Sequence, residues 1–175
     1  AGGRIFVRAL IAGAMVGLFE ETLYRGALLG GLLSRMRPMG AVLISSTIYS
    51  GVHFLKFSAI PADLPITWIS GVQMLPEAFY RFSDPAITDA VLSLFAFGVL
   101  LAMARLKSGA IYSCMGLHAG VVAMMKIISK TTDYVPNNDL AYLVSQSGHL
   151  LGYLALLWLT LCILFYYRYA FAGAR

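Results

Sequence analysis

Five apolar runs, at 5–33, 39–57, 88–106, 109–128 and 149–171, are each about as long as a membrane crossing demands. A hydrocarbon layer of ~30 Å takes about 20 residues of helix, and within it a backbone must satisfy its own hydrogen bonds. Irregular chain and open sheets are therefore excluded, and the pattern predicts an all-α, polytopic transmembrane bundle of about five spanning helices. The connectors at 34–38 and 107–108 are so short that helices adjacent in sequence must run antiparallel. The connection at 58–87 carries Pro61, Pro65, Pro76 and Pro85, which break helices. Its apolar piece, 66–75 with Trp68, is too short to span and reads as an interfacial segment. The connection at 130–139, with Pro136, Asn137 and Asn138, reads as a loop.

Composition narrows the function classes. Hydrophobic residues make up 59% of the chain and charged ones only 12%, against about 25% charged in soluble domains, so a water-facing shell cannot be built. The net charge of +5 comes from Lys and Arg placed singly or in pairs at the ends of apolar runs. That is how membrane flanks are charged, whereas a nucleic-acid surface gathers its cations into a stripe. Cys114 and Cys162 have no CxxC spacing, which argues against a disulfide framework or a thiolate metal site. No repeat or shift in composition divides the chain, so residues 1–175 read as one multi-pass membrane domain. It starts without Met and without a cleavage-site pattern, and reads as a fragment of a longer protein. Three GxxxG pairs, Gly13/Gly17, Gly26/Gly30 and Gly116/Gly120, predict close helix contacts.

Against this apolar background, Glu20 and Glu21 stand inside the first run, with Arg25 one helical turn further on. A charge in hydrocarbon costs at least ~2.5–3.5 kcal/mol, so such residues face the bundle interior, where they pair or do chemistry. Residues four apart share a helix face while neighbours point about 100° apart. Glu21 is thus placed to pair with Arg25, and Glu20 is left free to act as a general base. His53 lies near the end of the second run with Tyr49 four residues before it, and His118 lies within the fourth. A carboxylate and two imidazoles can polarise a water and stabilise the oxyanion formed when it attacks a carbonyl. Glu20, His53 and His118 would also suffice in number for zinc, but no HExxH sets two ligands on one helix, and the metal-free reading is preferred. Read structurally, the same side chains form a buried ion-pair cluster that fixes helix register. His149 stands at a membrane edge and is assigned no role.

Residues 20–25, Glu-Glu-Thr-Leu-Tyr-Arg, match EExxxR and are followed by Gly26. Residues 49–53 are similar to FxxxH, with Tyr49 in place of Phe, and residues 118–122 partly match HxxxN, with Val122 in place of Asn. This ordered set, over roughly 13–125, resembles the CAAX-protease and bacteriocin-processing family (CPBP, also called Abi) of intramembrane proteases. The resemblance implies that Glu20 activates water with the help of His53, that Glu21 holds Arg25 to brace the site, and that His118 helps to form the oxyanion hole. Its implied substrate is a membrane peptide or lipidated protein, such as a prenylated CAAX protein or a maturing bacterial peptide; no cofactor and no nucleic acid are implied. A prokaryotic inner membrane is the expected location. Val122 offers no donor where the family places a polar residue, and losing one oxyanion donor costs on the order of 10²–10³ in rate. Two alternatives therefore stand beside the protease: a non-catalytic scaffold of this fold within a membrane complex, and a proton-coupled carrier using Glu20 and His118 as a relay.

Overall fold

Hydropathy accounts for the rods seen in the computed structural model, which describes residues 2–56, 65–133, 135, 139–144 and 151–170. We label them α1 (Gly2–Leu33), α2 (Pro38–Val52), α3 (Thr88–Ser108), α4 (Tyr112–Thr131) and α5 (Tyr153–Ala170). Among the described residues there is no strand. Four of the rods are long and apolar enough to cross a membrane, and the chain is an integral membrane protein with an all-α bundle fold.

The second apolar run departs from its expectation. It forms only the 15 residues of α2, about 22 Å of rise, which falls short of a ~30 Å layer. The cause is local. The backbone N–H of His53 turns back to the carbonyl of Ser50, tightening the last turn, and the His53 ring hydrogen-bonds the Tyr49 carbonyl at 2.7 Å. The last four carbonyls of a helix lack intrahelical partners, and here a side chain satisfies one of them. Phe57, where the run was expected to end, lies outside the described residues, as do His149, Phe171 and the loop residues Pro136, Asn137 and Asn138. Between α2 and α3 the described chain makes short helical turns, Ser70–Gln73 and Leu75–Ala78. Ile66 and Trp68 project outward there, at 79% and 94% exposure, which suits an interfacial segment.

Burial identifies α3 as the central post. About 61% of its span is buried, against 17% for the α1 and α4 spans and none for α5. Leu94, Phe97 and Leu101 form its packed face, with α2 and α5 laid against it, while α1 runs along α4. Outer faces remain apolar, with Ile11 and Phe19 on α1 and Leu157 and Phe165 on α5 exposed. In water such surface would be a liability; in lipid it matches the solvent, and helix association falls to close packing.

That packing is carried by one of the three glycine pairs. A Cβ at Gly17 would come within 2.7 Å of the Met115 carbonyl oxygen, and one at Gly13 would collide with the Ala119 carbonyl. Across the contact the small residues are Ala119 and Ala123, not Gly116 and Gly120, which have nothing within 4 Å. Gly30 is equally open, and Gly26 faces only the carbonyl of Glu21, at 3.8 Å, so those two pairs do not mediate helix contact. Gly109 ends α3 in the left-handed region (φ 70°), its N–H bonded to the Arg105 carbonyl. That turn lets the chain reverse within a few residues into α4 and sets the height of His118.

A candidate active site between α1, α2 and α4

Directly after Glu21 the first rod changes winding. Residues Thr22–Leu28 form a π-helical segment, with the Leu29 N–H bonded five residues back to the Tyr24 carbonyl, before α-winding resumes at Leu29–Leu33. The extra residue rotates all later side chains by about 100° relative to unbroken α-winding, and such bulges often occur at functional sites. No feature of the sequence foretold it.

The inner layer of the site is a buried charge cluster. Arg25 Nη1 donates to Glu21 Oε1 at 3.0 Å, and Nη2 donates to the Gly98 carbonyl at 3.2 Å. Its guanidinium also lies 4.3 Å above the centre of the Tyr49 ring. Glu21 is fully buried and Arg25 is 2% exposed. The same Glu21 oxygen lies 2.7 Å from Nδ1 of His118. An ionised carboxylate only accepts, so His118 Nδ1 carries the proton, and the α1 pair fixes the orientation of an imidazole on α4.

The outer layer faces open space. The side chains of Glu20 and His53 each keep 30% exposure, although Glu20 Oε2 itself is occluded. Glu20 Oε2 lies 3.7 Å from Nε2 of His53 and 3.9 Å from Nε2 of His118, and it has no hydrogen-bond partner among the described residues. The His53 ring is oriented in turn. Its Nδ1 meets the Tyr49 carbonyl, which can only accept, so Nδ1 holds the proton and a neutral His53 presents a lone pair at Nε2. His118, in its neutral form, does the same. These three atoms converge at distances too long for direct hydrogen bonds between them.

These groups lie on a cavity of about 660 Å³ whose wall is otherwise largely apolar, including Leu94, Phe97, Val121, Val122, Met125, Trp158 and Leu159. All six residues singled out from the sequence (Glu20, Glu21, Arg25, Tyr49, His53 and His118) are brought into one connected cluster, with Glu20, Tyr49, His53 and His118 on the cavity wall. Among the described residues, no three His, Cys, Asp or Glu side chains are arranged to hold a metal ion.

A family model described as type II CAAX prenyl endopeptidase Rce1-like matches residues 2–124. The chain belongs to this family. No curated protein and no solved structure matches the chain.

The Rce1-like match runs from α1 into α4, and so includes every residue of the cluster and Val122. As a member of this family the chain is a CAAX-type intramembrane endopeptidase in general character, and its substrate is a peptide or protein held in a bilayer. Helix α5 lies beyond the matched residues, yet it supplies Ala155, Trp158 and Leu159 to the cavity. Those wall residues carry no sequence signal, because any apolar helix looks alike. Gly98 is different. Its carbonyl takes Arg25 from 73 positions away, and a Cβ there would sit 3.1 Å from Ser46 and Tyr49 atoms. An isolated Gly within a helical apolar run is a recognisable sign of close approach.

Proposed function

We propose that this chain hydrolyses a peptide bond of a membrane-associated or lipidated substrate, using a water activated by Glu20. The observation that carries the reading is the convergence of Glu20 Oε2 with Nε2 of His53 and His118, at 3.7 and 3.9 Å, on the wall of an apolar cavity. A water bound beside Glu20 gives one hydrogen to its carboxylate and the other to one imidazole Nε2, and turns an oxygen lone pair to the cavity. Attack on a scissile carbonyl then forms the C–O bond as the proton passes to Glu20. The C–N bond breaks as Glu20 returns that proton to the leaving amine. His53 is kept in its productive tautomer by the Tyr49 carbonyl, and His118 by Glu21, which Arg25 anchors. The apolar wall suits a lipid chain or apolar side chains of the substrate, whose burial favours binding at about 25 cal/mol per Å².

The test is Glu20→Gln, which preserves shape and removes the base. In liposomes with an internally quenched, farnesylated CAAX peptide, turnover should fall by about 10²–10⁴. Comparison of membrane-peptide termini in cells carrying each form would identify natural substrates. Cleavage that depends on the protein yet is unchanged in Glu20→Gln would end the assignment. A second reading, a non-catalytic subunit of the same fold, has Val122 in its favour, because this cavity-wall residue has no polar atom to offer an oxyanion. It requires that Glu20→Gln, His53→Gln and His118→Gln all leave assembly and phenotype intact.

A further inference from the structure

We infer that the hydroxyl of Tyr49 is the donor that stabilises the oxyanion in this chain, an inference that rests on the hydrolytic reading above. The reasoning begins from a shortage. With both imidazoles neutral, their Nε2 atoms stand beside Glu20 as acceptors, because the Nδ1 protons are committed, one to the Tyr49 carbonyl and one to Glu21. A carbonyl under attack develops negative charge on its oxygen and needs an N–H or O–H aimed at it. Val122, one helical turn after His118 and on the same cavity wall, has neither.

Few described residues on that wall can supply a donor. Lys126 and Ser129 lie two turns or more beyond His118 along α4, and Trp158 is 67% exposed on α5. Tyr49 is the exception. Its ring stands edge-on to both imidazoles, with centroids 4.7 Å from His53 and 6.1 Å from His118, and the residue is 1% exposed. A buried tyrosine usually pairs its O–H. This hydroxyl has no hydrogen-bond partner among the described residues, nor does it belong with the fully occluded unpartnered atoms, which include Glu20 Oε2 and Ser46 Oγ. The little surface that Tyr49 keeps therefore includes its oxygen, and Tyr49 is part of the cavity wall. The Arg25 guanidinium over the ring face, 4.3 Å from its centre, holds the ring in place. No proton is transferred in this role: the hydroxyl donates a hydrogen bond as the C–O bond forms, and withdraws it when the C–N bond breaks and the carbonyl is restored.

The experiment uses the full chain in liposomes with the farnesylated, internally quenched CAAX peptide, and compares wild type, Tyr49→Phe, Tyr49→Phe/Val122→Asn and Glu20→Gln. Tyr49→Phe keeps the ring and removes one oxygen that bonds to no described residue, so thermal stability should hold. The expected result is a fall in kcat of about 10²–10³, with KM within threefold of wild type. Val122→Asn, which places an amide donor one turn from His118, should then recover at least tenfold in kcat. A Tyr49→Phe enzyme within twofold of wild type, alongside an inactive Glu20→Gln, overturns the inference and leaves the hydrolytic reading standing. A loss that comes with a lower melting temperature and is not recovered by Val122→Asn also overturns it, since that is the signature of a packing role. Equal turnover by wild type and Glu20→Gln overturns both.

Discussion

Replacing Arg25 by Met keeps much of the side-chain volume but leaves the Glu21 carboxylate buried without its counter-ion. At 3.0 Å, and with an effective dielectric of about 20, the attraction between the pair is about 5.5 kcal/mol, offset in the native protein by the cost of removing both ions from water. Breaking one side of such a pair loses the attraction and keeps half of the cost. The Gly98 carbonyl also loses its donor and the Tyr49 ring its cation, although these contributions overlap and do not add. His118 Nδ1 remains bonded to Glu21 and limits the damage. The expected destabilisation is about 3–5 kcal/mol, or two to four decades in the folded-to-unfolded ratio. Equilibrium unfolding in mixed micelles, titrated with SDS, measures it. Glu21→Gln/Arg25→Met removes both charges and should regain at least half of the loss. A change below about 1 kcal/mol for Arg25→Met, or a double variant no more stable than the single one, would refute the argument that a buried, mutually dependent pair holds this site together.

Gly17→Ala sets a methyl 2.7 Å from the Met115 carbonyl oxygen, and should cost about 1–3 kcal/mol by prising α1 from α4. Gly30→Ala, with nothing within 4 Å, should be neutral or stabilising by up to about 1 kcal/mol in the same unfolding assay; reversal of that order would show that the glycine pairs have been misassigned. Treatment with a strong zinc chelator should leave peptide cleavage unchanged, whereas a loss restored by added Zn²⁺ would place a metal on Glu20, His53 and His118.

The two carboxylates show how far the sequence could be read. Helical spacing separated Glu21, expected to pair with Arg25, from Glu20, expected to be left free; in the structure Glu21 lies 3.0 Å from Arg25, and Glu20 Oε2 has no hydrogen-bond partner among the described residues. The small-residue pattern was less informative. It found Gly13 and Gly17 but proposed Gly26/Gly30 and Gly116/Gly120 on equal terms, because spacing within a helix does not say which face meets a neighbour. Likewise Tyr49 was legible only as a ring in place of Phe. That its hydroxyl is left over, beside imidazoles whose Nδ1 protons are already engaged, depends on two hydrogen bonds, one of them between helices 97 positions apart in sequence.

Hydropathy and charge placement by themselves determined that this chain is a helical membrane bundle and that its few interior ionisable groups must be gathered inside it, since lipid penalises every unpaired polar atom wherever it lies. Tertiary structure alone decided where those groups meet. The π-wound turn after Glu21, the early end of α2 at His53 and the left-handed reversal at Gly109 set the angle and height of three rods, and so aim a carboxylate and two imidazoles at one cavity. The physical reason is that hydrophobicity is non-directional, whereas chemistry depends on direction: the first can be summed along a sequence, and the second exists only where separate helices meet.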